Sequence, residues 1–404
     1  MISSTLYYSF WKGFDDLDRK TRKVVVLGGG SFGTAIANMI AANGYPVILW
    51  MRDQANADRV QQQRVNQLYL PGYQLSPNLR VSADLKYCLA DVDTVFFAVP
   101  SGALAALAEA MSGVLKPETL IISTSKGIIG SEFMLPSQIL EAALPGSRIG
   151  VMSGPNLAKE IADYEITATV VASQDPSICD SIQSMLASNY FRVYANHDRF
   201  GVELAGALKN IYAIIAGIAG ALKAGQNTKS VVLTRSLAEM RRFGTQLGAD
   251  PMTFLGLSGV GDLFVTCTSP LSRNYQVGLG LGFGKSLEQA LADVGQIAEG
   301  VNTTKLVKEK ADAMGTYMPL ASALYATLFE GESIQDALRS MMLAEQNSDV
   351  DFMVKTNGWY KKIFTKFRHM DTYRIHGVIP DTFDICSQLD DSVDIGADRY
   401  RSGK

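Results

Sequence analysis

Histidine is scarce in this sequence, and cysteine is not clustered. The 404 residues include only three histidines and four cysteines. No cysteines form a C-x-x-C pair or stand at metal-ligand spacing from a histidine, as disulfide frameworks and zinc sites require. We therefore expect reduced thiols and no metal centre. Disulfide bonds, metal binding and histidine-dependent acid–base catalysis are not expected of the residues Cys88, Cys179, Cys267, Cys386, His197, His369 and His376.

A basic surplus is also missing. The chain has 37 basic and 40 acidic residues, a net charge of −3, and only 19% of its residues are charged. Proteins that bind nucleic acids usually carry excess positive charge, so no nucleic-acid partner is expected. The hydrophobic content of 47% is enough to fill cores, and the length suggests two to three domains at roughly 100–200 residues each.

Neither a secretory signal nor a membrane span is predicted. The N-terminus lacks a basic region followed by a continuous apolar run. One apolar stretch, Leu204–Leu222, is nearly long enough to cross a bilayer, but Lys209 and Asn210 lie inside it. Because a lysine within the membrane is costly, this stretch is predicted to be the buried core helix of a globular domain.

The first half of the chain has the pattern of an α/β protein. Short β-branched runs alternate with helical patterns, which is typical of a parallel, doubly wound sheet covered by helices on both faces. This domain is predicted over 23–202 and a mostly α-helical second domain over 203–345, with extensions of unknown role at 1–22 and 346–404. The predicted strands are KVVVLG, PVILW, TVFFAV, LIISTS, RIGVM and TATVVA.

The first of these runs leads directly into a glycine-rich segment. Gly28, Gly30 and Gly33 form the pattern G-x-G-x-x-G, and a helical pattern follows. Glycines at this spacing permit a tight turn and a close approach to a pyrophosphate, which the N-terminus of the helix then binds. The pattern alone is weak and can be a structural turn, but between a strand and a helix it predicts dinucleotide binding.

The end of the second run bears on the choice of dinucleotide. The strand VILW is followed by Met51, Arg52 and Asp53. An arginine here suits the 2′-phosphate of NADP, whereas an acidic residue suits the ribose of NAD. Arg52 therefore favours NADPH/NADP as the cofactor, while Asp53 leaves NAD possible.

Lys209 is the only charged residue from Leu204 to Leu222. Burial of a lysine that lacks a partner lowers its pKa toward neutrality, where it can exchange a proton. Lys209 is therefore a candidate proton carrier between an alcohol and a ketone. The alternative is a lysine whose ammonium group reaches solvent along its aliphatic stem.

Three further features lie in positions suited to ligands. Asp262 ends the run Gly259–Asp262, a predicted glycine-rich turn from which a carboxylate can orient an ammonium or a hydroxyl. Ser272–Asn274 is a serine, an arginine and an asparagine in succession, which is a suitable set for a phosphate. Lys126 follows the run LIISTS, where open α/β sheets bind ligands beyond the carboxyl ends of their strands.

In their order and spacing these residues resemble the bacterial NAD(P)-dependent glycerol-3-phosphate dehydrogenases over about 23–345. The motifs are GGGSFGTA, NQLYLPG, STSKG, SGPNLAKE, GVELAGALKNIYAI, GLSGVGDLFVTCTSPLSRN and GQIAEGVNTTK. The resemblance implies a Rossmann-type domain and an α-helical domain with the active site between them. It further implies interconversion of dihydroxyacetone phosphate and sn-glycerol 3-phosphate in the cytoplasm, for phospholipid synthesis. A homodimer is compatible with the sequence.

The resemblance also assigns roles to residues of this sequence. Lys209 matches the catalytic proton acceptor, which also binds substrate, and Lys126 matches a lysine that touches both substrate and cofactor. The other positions implied to bind substrate are Gly154, Asn156, Asp262, Ser272, Arg273 and Asn274. Those implied to bind the cofactor are Gly28, Gly30, Ser31, Phe32, Gly33, Arg52, Tyr69, Ala158, Arg273, Ile297 and Glu299. Asn156 departs from the family, which usually has Thr or Ser there.

Two other functions remain open from the sequence. Another lysine-base Rossmann dehydrogenase, of the 3-hydroxyacid or 6-phosphogluconate type, should have a carboxylate-binding group and a different glycine context before the lysine. A catalytically silent NADPH-binding sensor should have lost Lys209 or Asp262, and both are present. The sequence favours the dehydrogenase of the phosphorylated triose.

Overall fold

The computed structural model describes residues 21–295 and 297–343. These residues belong to one unit of the chain. Apart from Thr21 and Arg22, the predicted extensions 1–22 and 346–404 lie outside the described residues, and so does the predicted domain end at 345.

The described residues form an eight-stranded sheet and a separate two-stranded hairpin. The spatial order of the large sheet is β10-β9-β8-β7-β6-β1-β2-β5, and the hairpin pairs β3 with β4. The strands are β1 Val24–Leu27, β2 Val47–Trp50, β3 Val65–Asn66, β4 Leu70–Gln74, β5 Leu79–Ser82, β6 Thr94–Phe97, β7 Leu120–Ser123, β8 Arg148–Ser153, β9 Thr167–Ala172 and β10 Phe191–Asn196.

The helices alternate with these strands and then continue alone. They are α1 Ser31–Ala42, α2 Gln54–Gln63, α3 Leu85–Leu89, α4 Ser101–Met111, α5 Pro136–Ala143, α6 Ala158–Ala162, α7 Pro176–Leu186, α8 Arg199–Ala221, α9 Gln226–Gln246, α10 Asp262–Thr268, α11 Arg273–Gly282, α12 Leu287–Val294, α13 Glu299–Met314, α14 Pro319–Tyr325 and α15 Ile334–Leu343. Short 3₁₀ and π-helical segments add Pro251–Leu255, Leu257–Gly261 and Ala326–Glu330.

All six predicted runs contain a strand of the large sheet, and the Rossmann-type class is confirmed. The sheet is parallel from β5 to β8, but β9 pairs with β8 antiparallel, so β9 and β10 run the opposite way. The connection between β8 and β9 holds only the five-residue helix α6. A helix of that length spans about 7 Å, too little to return over a six-residue strand of about 20 Å. The run TATVVA is therefore antiparallel to β8, and the prediction of a wholly parallel sheet is wrong at this strand.

Helices cover both faces of the sheet, as the continuous apolar strands predicted. Val24 and Val26 of β1 pack into one hydrophobic cluster with residues of α1 and α7. Val25 and Leu27, on the alternate positions, pack into another with residues of α4 and α5. Because successive side chains of a strand point to opposite faces, β1 is buried on both sides.

Helix α8 is the centre of the helical half. It has 23 residues and is long and apolar enough to cross a membrane, by length and composition only, but 78% of its apolar window is buried inside the protein. Every residue from Gly201 to Ile214 is buried, and α8 packs against α9, α10, α11 and α13. The predicted core helix is confirmed. It begins at Arg199, shortly before the predicted domain boundary at 202, and that boundary stays a prediction.

Candidate active site

The glycine-rich loop between β1 and α1 packs closely against neighbouring backbone atoms. Gly28 has a φ of +117°, and a Cβ added there would lie 2.4 Å from the carbonyl oxygen of Ala98. A Cβ on Gly33 would lie 1.9 Å from the carbonyl oxygen of Gly28. Only glycine fits these two positions without displacing the backbone. At Gly30 the situation is the opposite, since its missing Cβ has no neighbouring atom within 4 Å and faces open space.

The N-terminus of α1 has room for an anion. Its N-cap residue is Gly30, which has no side chain to satisfy the first N–H groups of the helix. In α2, by contrast, the carboxylate of Asp53 accepts a hydrogen bond from the N–H of Asn56. Free N–H groups and the positive end of the helix dipole favour a phosphate. The glycine cradle and the uncapped helix therefore fit the pyrophosphate of a dinucleotide.

Other residues implied to bind the cofactor surround this loop. Ser31 donates a hydrogen bond of 2.6 Å from its hydroxyl to the carbonyl oxygen of Tyr69. Phe32 and Ala158 pack against the same hydrophobic cluster. Arg52 is exposed, two residues beyond the end of β2.

A cluster of two lysines and one carboxylate lies where the sheet meets the helical half. Lys126, three residues beyond β7, is 2.6 Å from Oδ2 of Asp262 and donates to the carbonyl oxygen of Gly154 at 3.2 Å. Lys209 of α8 donates to the other oxygen, Oδ1, of the same carboxylate. It also donates to the hydroxyl of Thr266 at 2.6 Å. Asp262 therefore joins residues that are far apart in the sequence.

The expectation that Lys209 has no partner is wrong, since Asp262 and Thr266 bind its ammonium group. Its side chain is 7% exposed and that of Asp262 is 1% exposed. Burial nonetheless lowers the pKa of Lys209 to about 7, because desolvation and the positive charge of Lys126 outweigh the stabilising charge of Asp262. An amine with this pKa can gain and lose a proton near neutral pH.

The predicted flexible turn before Asp262 is also wrong. Leu257–Gly261 forms a π-helical segment and Asp262 begins α10. A Cβ on Gly259 would lie 2.0 Å from the carbonyl oxygen of Phe254, so this glycine permits close packing of the segment. Thr266 follows Asp262 by four residues and lies on the same face of α10. The sequence reasoning missed Thr266 because it treated Asp262 as part of a turn.

The end of β8 forms another wall of this site. Gly154 has a φ of +150°, and a Cβ there would lie 3.1 Å from Cα of Thr169. The Asn156 amide donates to the Thr169 hydroxyl at 2.8 Å, and that hydroxyl is 3.1 Å from the carbonyl oxygen of Ser153. Because the Thr169 proton goes to that carbonyl, Asn156 must direct its NH₂ toward Thr169. The Oδ1 atom of Asn156 and the hydroxyl of Ser153 are left buried without a hydrogen-bond partner.

The serine, arginine and asparagine predicted to bind phosphate lie at the start of α11. Ser272 caps this helix by accepting from the N–H of Tyr275. Asn274 accepts at Oδ1 from the N–H of Gly300 at 3.0 Å, and Arg273 donates to the carbonyl oxygen of Ile297 at 2.9 Å. The bonds of Ser272 and Asn274 use their acceptor atoms, so their O–H and N–H groups remain the parts suited to an anion.

Glu299 connects the helical half to helix α4 of the α/β half. Its carboxylate accepts from the backbone N–H of Ser101 at 3.2 Å and from its hydroxyl at 2.9 Å. A Cβ on Gly127, next to Lys126, would lie 3.1 Å from this carboxylate. Glu299 therefore lies beside the lysine cluster. Ser101, which the sequence reasoning also missed, is the residue that holds Glu299 there.

The fold and this cluster define a class: a two-part oxidoreductase with a dinucleotide cradle beside a buried lysine–carboxylate centre. Comparisons with known proteins agree. The family model for the N-terminus of NAD-dependent glycerol-3-phosphate dehydrogenase matches residues 23–179, and the model for its C-terminus matches residues 198–339.

Individual relatives match over most of their length. A glycerol-3-phosphate dehydrogenase [NAD(P)+] of Teredinibacter turnerae is 55% identical over 81% of this chain and 97% of its own. One of Pseudomonas aeruginosa is 53% identical over 82% of this chain and 98% of its own. The crystal structure of glycerol-3-phosphate dehydrogenase from Coxiella burnetii matches with a TM-score of 0.76 and 35% identity, over 80% and 99% of the two chains.

This chain belongs to the NAD-dependent glycerol-3-phosphate dehydrogenase family. It is an NAD(P)-dependent oxidoreductase, and nothing in the comparisons favours the two alternative functions. The predicted family and class of cofactor are confirmed. The roles of individual site residues stay predictions.

Proposed function

We propose that the lysine cluster interconverts dihydroxyacetone phosphate and sn-glycerol 3-phosphate with Lys209 as the proton carrier. The observation that carries the proposal is the position of Lys209. It is buried, its pKa is lowered to about 7, and it shares one carboxylate with Lys126 at the edge of the sheet. A bound NAD(P) supplies the chemistry of hydride transfer to or from the carbon that carries the reacting oxygen.

Lys209 handles the proton that accompanies this reaction. In the reducing direction its ammonium form donates a proton to the oxygen that becomes the alcohol, and in the oxidising direction its neutral amine accepts that proton. Thr266 and Asp262 orient the Nζ atom by accepting its other protons. Oriented in this way, the group is prepared for transfer before the substrate arrives.

Lys126 holds positive charge beside the same site. It binds Asp262 and the carbonyl of Gly154, and its side chain is 26% exposed, so a substrate oxygen can still approach it. We infer that Lys126 touches both the substrate and the cofactor. Its charge also lowers the pKa of Lys209, which connects substrate binding to the state of the proton carrier.

The phosphate of the substrate is assigned to Arg273, Ser272 and Asn274. A planar guanidinium and neighbouring O–H and N–H donors suit a dianionic phosphate. Asn156 is assigned a contact with the substrate through its Oδ1, the buried acceptor without a partner. Because an unpaired buried acceptor is unfavourable, a donor supplied by a ligand would remove that cost.

The cofactor is assigned to the glycine cradle, with its pyrophosphate at the N-terminus of α1. Arg52 is assigned to the 2′-phosphate of NADP, with Ser31, Phe32, Tyr69 and Ala158 around the loop. Gly28 and Gly33 shape the cradle, and Gly30 opens it. Ile297, Glu299 and Arg273 would close the site from the helical half.

The wider role rests on the family resemblance. We propose that the product, glycerol 3-phosphate, serves phospholipid synthesis and that the enzyme acts in the cytoplasm as a homodimer. Light scattering after size-exclusion chromatography would count the chains in solution, and fractionation of cells would locate them. A monomeric enzyme would refute the dimer without affecting the proposed reaction.

The direct test is an assay of NADPH oxidation with dihydroxyacetone phosphate. We expect turnover with this substrate, and much slower turnover with unphosphorylated dihydroxyacetone, since the phosphate anchor is then unused. The reverse assay compares sn-glycerol 3-phosphate with a 3-hydroxyacid and 6-phosphogluconate. Faster oxidation of either acid would refute the proposed substrate, and tight NADPH binding without any turnover would indicate the silent sensor.

A further inference from the structure

The hairpin β3–β4 lies against the glycine-rich loop, although it belongs to neither the large sheet nor the lysine cluster. Its residue Asn66 is fully buried, at 0% exposure. The NH₂ group of Asn66 donates one hydrogen bond of 2.9 Å to the carbonyl oxygen of Gly29 and one of 2.8 Å to the hydroxyl of Thr34. One side chain thus joins the middle of the loop to the first turn of α1.

This arrangement leaves a polar atom unsatisfied. The Oδ1 atom of Asn66 is buried and has no hydrogen-bond partner. Such an atom is unfavourable for folding, and in native proteins it calls for an explanation. The NH₂ group of the same side chain supplies two donors, and one of them binds the loop backbone at the Gly29 carbonyl oxygen.

Fixing the Gly29 carbonyl also fixes the next N–H group. The described residues contain no cis peptide bond, so the C=O of Gly29 and the N–H of Gly30 point in opposite directions across one planar unit. With the C=O held toward the hairpin, the N–H of Gly30 points away from it. Gly30 is the N-cap of α1 and faces open space.

We propose that Asn66 is a positioning residue that aims the Gly30 N–H at the pyrophosphate of the dinucleotide. It acts through the Gly29 peptide and does not itself touch the cofactor. A second bond between the hairpin and the loop, from the hydroxyl of Ser31 to the carbonyl of Tyr69, supports the same placement. The inference rests on the cofactor position proposed above.

The proposal makes a distinctive prediction about cofactor selectivity. The pyrophosphate is common to NADPH and NADH, so Asn66→Ala should weaken binding of both by the same factor. Loss of one well-aimed hydrogen bond to an anion corresponds to about tenfold. We expect this rise in the KM for each cofactor and in the Kd for NADPH measured by calorimetry. The kcat at saturating cofactor and the KM for dihydroxyacetone phosphate should be nearly unchanged.

Two further variants separate positioning from simple loss of stability. Asn43 lies at the other end of α1, where its NH₂ donates to the carbonyl oxygen of Met185 at 3.0 Å. Asn43→Ala therefore removes a similar bond from the same helix and should leave cofactor binding unchanged. Thr34→Val removes only the second acceptor of Asn66 and should weaken binding much less than Asn66→Ala. If Asn66→Ala does not fold, Asn66→Leu keeps a similar side-chain volume and removes the donors without adding a charge, and the same loss is expected.

Gly30→Val tests the cofactor position independently. A Cβ at Gly30 meets nothing in the protein, so valine should fold there but project into the space assigned to the cofactor. If Gly30→Val abolishes NADPH binding and Asn66→Ala does not weaken it, the role of Asn66 is refuted and the position stands. If Gly30→Val binds NADPH normally, the position itself is wrong. A loss confined to NADPH in Asn66→Ala would also refute the proposal.

Discussion

The glycine-rich loop and the lysine cluster, which we propose to be parts of one active site, are built in opposite ways. The loop spans Gly28–Gly33, and its shape depends on side chains that are missing: a Cβ at either end would collide with backbone, and the N-terminus of α1 is uncapped. The cluster depends on charged side chains, Lys126, Lys209 and Asp262, that three separate segments bring together.

This difference predicts how each region fails. A substitution in the loop changes the geometry of backbone N–H groups, so it should appear in the binding of the cofactor. A substitution in the cluster changes the charge and proton affinity of a buried group, so it should appear in kcat and in its pH dependence. The two regions can therefore be distinguished by kinetics.

The largest effect is expected for Lys209→Ala. Removal of the proposed proton carrier should lower kcat by about 10² or more, the usual scale of general acid–base catalysis. Cofactor binding should change little, because the glycine loop is intact. Steady-state kinetics together with a direct titration of NADPH measures both quantities.

Lys285→Ala provides the matched control for this variant. Lys285 also pairs with a carboxylate, that of Asp293, but both side chains are about half exposed, at 48% and 57%. Exposed ion pairs contribute little, so this variant should keep its kcat. A Lys209→Ala enzyme with nearly normal kcat would show that another group carries the proton.

Sequence reasoning predicted the loop more completely than the cluster. The loop is encoded by consecutive residues, so the pattern of Gly28, Gly30 and Gly33 was enough to locate it. The partner of Lys209 lies 53 residues away, and no periodicity connects the two residues. Asp262 was singled out as a carboxylate that follows a glycine-rich run, and again by family resemblance, but its place at the start of a helix, and with it Thr266, was not predicted.

The prediction of the sheet had the same limit, since it also depended on runs of consecutive residues. The buried strands β1, β6 and β7 are continuous apolar runs and were predicted as strands, because burial on both faces leaves no polar positions. Strands β5 and β10 lie at the edges of the sheet and alternate with exposed residues, so their runs are broken. The reversal of β9 depends on the short connection before it and not on its own residues.

The next largest effect is expected for Arg273→Ala. If its guanidinium anchors the phosphate, kcat/KM for dihydroxyacetone phosphate should fall about 10²-fold or more, with kcat reduced as well because phosphate binding positions the reacting carbonyl. Unphosphorylated dihydroxyacetone should be affected far less at saturating NADPH.

Arg148→Ala is a suitable control for Arg273→Ala. Arg148 is an arginine of the sheet that pairs with Asp175, away from both parts of the site, and its loss should affect neither substrate selectively. Equal losses for the two substrates in Arg273→Ala would exclude the phosphate anchor and weaken the assignments of Ser272 and Asn274.

A pH profile sharpens the comparison without any substitution. The pKa of Lys209 is lowered to about 7, so its ammonium form is lost as the pH rises through that value. Reduction of the ketone needs this form, and kcat should fall about tenfold per pH unit above the pKa. Oxidation of the alcohol needs the neutral amine and should show the opposite slope below it. Flat profiles in both directions would contradict the role of Lys209.

The smallest effect is expected for Arg52→Ala, at the residue proposed to bind the 2′-phosphate of NADP. Arg52 is exposed after β2, and a contact with the 2′-phosphate would be worth roughly 1.5–3 kcal/mol. The KM for NADPH should therefore rise about tenfold or more, while that for NADH, which lacks this phosphate, should hardly change. Arg59→Ala, which removes an exposed arginine of α2 bound to Asn56 at 2.9 Å, should alter neither value. Equal losses with both cofactors would mean that Arg52 supports the loop itself. The loop could then no longer be treated as the part that binds pyrophosphate and Arg52 as the part that selects NADP.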